Sequence, residues 1–152
     1  MELTMARTSA SRISDETGSV LIEFAFALPL LLLIIVGIFD FGFAFQKYEV
    51  LTNAAREGAR MAVLTGYSTT DVQNRVTAYL NAGGATGAHT TTVVAETITP
   101  GSGPSFTAKK VTVTLTHSFT LLAPIASAFG GTFGAITLKS VAAMRTEVAG
   151  GG

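Results

Sequence analysis

An α+β fold carried on a membrane anchor is what this sequence predicts, and three observations carry the prediction. Phe24 to Phe39 contains no charged side chain. Two segments between 46 and 82 repeat their apolar residues at helical spacing. A later stretch, Lys110 to Thr116, alternates apolar with polar at each step. A long N-terminal transmembrane helix, a short second helix and an antiparallel sheet of about three to four strands follow from those patterns.

The first segment, residues 1–18, is polar, with Arg7, Arg12, Asp15 and Glu16 among serines and threonines. It has no face to bury and reads as a leader or a disordered tail. Residues 19–45 are the apolar segment. As a helix, Phe24–Phe39 covers roughly 24 Å, and the flanking Ser19–Ile22 and Phe41, Phe43 and Phe45 extend this to about 40 Å. A hydrocarbon core of about 30 Å is therefore within reach. A secretory signal peptide is the competing reading, with a cut before Phe45 after the small residues Gly42 and Ala44. Asp15, Glu16 and Glu23 ahead of the apolar run argue against it. Charge leaves the orientation tied, because Arg7 and Arg12 on one side face Lys47, Arg56 and Arg60 on the other.

Residues 46–149 read as one domain, and 150–152 as a flexible glycine tail. Its first helix continues from the span. Leu51, Ala55, Gly58 and Ala62 share one face of it, and Glu49, Arg56, Glu57 and Arg60 lie largely away. A face of small residues admits close approach, either of the domain's own sheet or of a neighbouring copy. After Gly66 a second helix opens with Ser68 three residues before Asp71, the spacing of a capping box, and stops at Gly83-Gly84. Val72, Val76, Tyr79 and Leu80 form its apolar stripe.

Strands are expected at TTTVVAETIT, at KKVTVTLTHSF and at AITLKSVAAMRTEV, with a turn at Pro100–Pro104. In the second of these, Val111, Val113 and Leu115 share a face. Phe119–Leu138 is also uncharged, but Pro124, Gly130, Gly131 and Gly134 argue for a buried connection over a second span.

Several function classes drop out. Ten basic residues balance ten acidic ones, so no electrostatic case for nucleic acid exists. There is no cysteine, no HExxH, no phosphate-cradling glycine loop and no GxSxG elbow. His89 and His117 stand apart and read as ordinary loop and strand residues. No enzyme, cofactor, metal or small-molecule substrate is expected.

Two acidic residues interrupt the apolar segment. Glu23 and Asp40 are roughly 25 Å apart along a helix, so each can sit near one membrane interface. Asp40 suits that placement. Glu23 suits it less, because Val20, Leu21 and Ile22 would then lie on the water side. Pro29 removes a helical donor and leaves the Ala25 carbonyl without its usual partner. This predicts a kink or loosening near 25–29, either a tolerated kink or a point of extension in a filament.

Gly18-Ser19-Val20-Leu21-Ile22-Glu23-Phe24 places a glycine and four further residues before a Glu-Phe pair that heads an apolar helix. This resembles the processing signature of Tad-type (Flp) pilins and pseudopilins. The likeness continues through EFAFALPLLLLIIVGIFDFG and LTNAAREGAR, and AMRTE at 143–147 is compatible with it. Across residues 18–66 the sequence resembles the TadE-like family, the pseudopilin or minor-pilin class of tight-adherence pilus systems.

The resemblance implies a small pilin-like domain outside the inner membrane and a cytoplasmic cut after Gly18 by a prepilin peptidase. The implied partners are other pilins, the inner-membrane assembly platform and membrane lipid. The implied role is in a pilus used for adhesion, surface attachment or secretion. Major Flp pilins are very short and nearly all helix, so the β-containing domain favours a pseudopilin. Cleavage would turn the Ser19 amide into a cationic amine, and Glu23 lies one helical turn away, about 6 Å along the axis. In helices packed with a one-turn stagger, that carboxylate would meet another subunit's amine. The alternatives are an interfacial glutamate without a partner, and a bitopic or secreted binding domain with no filament role.

Overall fold

The computed structural model describes residues 13–128, 130–132 and 134–146, with side chains from Gly18 onward. The first twelve residues of the expected leader and the glycine tail lie outside the described residues. From Ile13 the chain is already helical, so the leader is not wholly irregular as its polarity predicts. This helix, α1, spans Ile13–Ala62 without a break, about 75 Å. Pro29 lies within it and does not end it. Leu, Ala, Phe and Ile dominate its first half, and the alanines of 54–62 favour helix in the second. Gly66, at φ 94°, adopts the left-handed conformation and turns the chain away.

Helix α2 spans Thr69–Ala82 and opens with the expected capping box. The Ser68 hydroxyl accepts from the Asp71 N–H at 3.2 Å, and the Asp71 carboxylate accepts from the Ser68 N–H at 2.8 Å. The Ser68 hydroxyl also donates to the Asp71 carboxylate at 2.7 Å, and this bond first, then that from the Ser68 N–H, holds the Asp71 pKa below the usual carboxylate value. At the other end Gly83 N–H donates to the Tyr79 carbonyl. A Cβ at Gly83 would collide with the Val50 side chain, so α2 ends hard against α1.

Three strands follow: β1 (His89–Ile98), β2 (Phe106–Ser118) and β3 (Ala135–Arg145). They form an antiparallel meander with β2 central, at the low end of the expected three to four strands. The register runs from His89 opposite Leu115 to Ile98 opposite Phe106, and from Ala108 opposite Arg145 to Ser118 opposite Ala135. Between β2 and β3 lies a short helix, α3 (Leu122–Ala128). The sequence patterns predict only a connection there, because seven residues with Pro124 in the first turn leave no helical period to read.

The sheet lays Val111, Val113 and Leu115 onto α1 and α2, and all three are fully buried. They meet Leu51, Ala54, Ala55 and Ala59 of α1 and Val72, Val76 and Leu80 of α2. Each Leu or Val buried in this way contributes about 1.5–3 kcal/mol relative to exposure. The small-residue face is therefore occupied inside the domain. Leu51 and Ala55 have no exposed surface left for a neighbouring copy, and Gly58 is buried while Ala62 is half-buried.

Gly58 marks the closest approach. A Cβ there would stand 2.7 Å from Val76 Cγ2 and 3.3 Å from Val111 Cγ1. Gly58→Ala should therefore destabilise the domain by about 1–2 kcal/mol, because overpacking outweighs the better helix propensity of alanine. Denaturant unfolding of the two proteins checks this; equal stability would show that α1 and α2 can separate freely here.

Candidate functional site

The helix α1 does two unlike jobs along its length. From Gly18 onward it is long and apolar enough to cross a membrane, and its apolar window has no residue covered by the rest of the chain. Val20 and Phe26 are 63% and 81% exposed. So many exposed large side chains exceed what a water-facing helix carries, and lipid or protein must cover them. Before Asp40 none of the helix's described side chains is buried; beyond Ala44 one side of it is core. The domain edge expected at 45/46 carries no break in the helix.

At the start of the apolar run, Ser19 and Glu23 are both exposed, with Phe24 beside them. They lie on one continuous helix, so the amide of Ser19 and the carboxylate of Glu23 are one turn apart. No ion pair joins Glu23 to any described residue. Among the described residues nothing lies within 4 Å of where a Gly18 side chain would begin, so their packing does not require glycine there.

Asp40, at the end of the apolar run where an interface is expected, is also bonded within the chain. It is 1% exposed, and its carboxyl oxygens accept the backbone N–H of Leu121 at 3.1 Å and of Leu122 at 2.6 Å. Those donors open α3 and have no helical partner of their own, so Asp40 caps α3 from another element. This bond ties the β2–β3 connection to the outer end of the apolar run. Phe41 packs on Phe119 at 5.5 Å between ring centroids, and Phe119 meets His117 edge-on at 5.4 Å. The sequence offers no signal for this clamp, since the partners of Asp40 are backbone groups 81 and 82 positions away.

His117 is 4% exposed at the end of the buried face of β2, and neither ring nitrogen has a hydrogen bond among the described residues. Burial first, then the charge of Lys47, holds its pKa below the ordinary histidine value against a weaker pull from Asp40. A depressed folded-state pKa means that the unfolded chain takes up the proton first as pH falls. The contribution of neutral His117 is whole above the unfolded value of about 6.5, and is lost as pH falls through it toward the folded value. Thermal melts should show lower stability at about pH 5.5 than at about pH 7.5, and His117→Leu should shrink that difference. His89 opens β1, where its Nε2 lies 3.0 Å from the Thr77 hydroxyl. No group of metal-ligating side chains occurs among the described residues.

An exposed apolar helix long enough to cross a membrane enters a small α+β domain and forms part of its core, an arrangement consistent with a membrane-anchored, pilin-like protein. Residues 18–60 match the model of a protein family described as TadE-like protein, which suggests a pilin-like protein associated with a Tad pilus. The match begins at Gly18 and ends inside α1, so it covers the helix and not the sheet. Neither a curated protein nor a solved structure matches the chain.

Proposed function

We propose that this chain is a non-enzymatic minor pilin or pseudopilin of a Tad/Flp-type pilus, anchored in the inner membrane and processed by a prepilin peptidase after Gly18. Its N-terminus would face the cytoplasm and its domain the outside, with other pilins and the assembly platform as partners. Adhesion, surface attachment or secretion would be the use of the fibre.

The observation that carries this reading is Glu23: an exposed carboxylate without an ion-pair partner among the described residues, in an otherwise apolar helix, four residues after Ser19. Holding such a charge in a bilayer costs about 2.5–3.5 kcal/mol or more, so an intramembrane carboxylate points to a partner. Cleavage supplies one. It converts a neutral amide into an amine with a reference pKa near 8, cationic at neutral pH. A neighbouring helix displaced by one turn would bring its Glu23 level with that amine, and each charge would neutralise the other.

Gly18 fits the cut for a related reason. A protease needs extended backbone, and the Gly18–Ser19 bond lies in helix. Glycine weakens a helix by about 1 kcal/mol relative to alanine and presents no side chain to a closing active site. In a host carrying the peptidase, the wild-type chain should run shorter on a gel by the leader. Gly18→Leu should stay full length. Equal trimming of both would defeat the proposed cut.

A further inference from the structure

We propose that α3 and the chain flanking it form a second, shallow contact with the membrane, a foot resting in the outer leaflet beside the transmembrane helix. This rests on the reading of α1 as a membrane span.

Depth is the first argument. The apolar run of α1 begins at Val20, and a hydrocarbon core of about 30 Å takes up about 20 helical residues. Its outer boundary therefore falls near Asp40. Asp40 holds the Leu121 and Leu122 amides by direct hydrogen bonds, so the start of α3 lies at that same depth. Leu122 also lines an apolar groove with Leu33, Ile34, Gly37, Ile38 and Phe41. These residues reach two turns below Asp40, toward the bilayer centre.

Composition is the second argument. Phe119 to Leu138 carries no charge, although the domain around it is polar. Leu122 faces the α1 groove and Ala126 is buried, whereas Leu121 and Ile136 are exposed at 44% and 36%. Apolar side chains facing outward at the level of a lipid boundary continue the lipid-facing surface of α1.

Charge is the third. Leu138 and Ile136 sit beside Phe41, Ala44, Phe45 and Tyr48, so Lys139 follows at the upper edge of the foot. Lys47 lies seven residues beyond Asp40, about 10 Å higher on α1. Two lysines and Tyr48 just above an uncharged surface match the headgroup layer, where cationic side chains meet lipid phosphates and amphipathic rings settle. A second copy of this chain would need no such lysine edge.

The foot also accounts for Asp40. A carboxyl group at the edge of the hydrocarbon is costly unless hydrogen-bonded, and so are the orphan N–H groups of α3. Each satisfies the other, and the foot shields both. With two points of contact the domain cannot swing freely about α1.

The chain has no cysteine, so single labels can be placed directly. A nitroxide would be attached at Leu121→Cys, at Ala128→Cys, at Phe26→Cys in the span and at Ser102→Cys in the β1–β2 turn. The full chain would be reconstituted in phosphatidylcholine–phosphatidylglycerol vesicles, and collisions with oxygen and with a water-soluble nickel chelate measured. The proposal expects the two foot labels to favour oxygen, as the Phe26 label does, while the Ser102 label favours nickel. Foot labels that follow Ser102 while Phe26 sees lipid overturn the foot and leave the anchor standing. Foot labels shielded from both reagents mean that protein covers the surface, which also overturns it. Nickel preference at Phe26 itself overturns the membrane span and the foot together.

Discussion

Asp40→Ala should lower the stability of the domain by about 3 kcal/mol, because it leaves the buried Leu122 N–H and the part-buried Leu121 N–H without an acceptor. For a domain of this size that corresponds to a fall in melting temperature of roughly 10 °C. Both donors are at α3, and Leu122 is buried. The damage should start there. Amide exchange at Leu121 and Leu122 should quicken well before the β2 amides change. Asp40→Asn keeps one acceptor oxygen and should recover part of the loss. Unchanged exchange at both amides in Asp40→Ala would show that solvent or another group satisfies them, and the clamp would not be structural.

The second large effect concerns Glu23. Glu23→Gln should leave leader removal intact and reduce joining of the mature chain to its pilus complex by about two to three and a half orders of magnitude. The size follows from the cost of breaking a buried ion pair, about 3–5 kcal/mol, where about 1.4 kcal/mol is a factor of ten. The folded domain should not notice the change, because Glu23 is exposed and distant from the core, whose first buried apolar residue is Ala44. Co-purification of processed chains with their partners reads the effect. Full association of processed Glu23→Gln chains would eliminate the pairing with the Ser19 amine.

Both effects bear on how far the fold and site can be read from residues alone. The long helix, the capping box at Ser68 and Asp71, and the buried face of β2 were legible because each is a local pattern that physics repeats at a fixed spacing. The matched family segment was legible for a similar reason, since its signature lies within one helix. Asp40 was not legible. Its position in an apolar run suggests a membrane interface, and nothing in the letters near it names two backbone donors from a distant loop. The face of Leu51, Ala55, Gly58 and Ala62 was visible, but not what covers it, because small residues suit a neighbouring copy as well as the chain's own sheet. The structure adds Ala54 and Ala59 to that buried side. Gly83 reads as a helix stop, while its Cβ position is also closed by Val50. Close approach between elements leaves a glycine in the sequence but not its reason.

β3 shows a further limit. Leu138, Ser140, Ala142 and Met144 form its covered face, three of them packed on the core, but the alternation is poor in the letters because a serine sits on that face and Val141 and Ala143 on the open one.

The proposed function turns most directly on the mature N-terminus. Intact mass and N-terminal sequencing of the chain, purified from membranes of a host with a prepilin peptidase, should both give Ser19 as the first residue. A first residue of Phe45 would mean a signal peptide, and an intact Met1 or Met5 an ordinary anchor; either would contradict a pilin processed to expose an amine for Glu23.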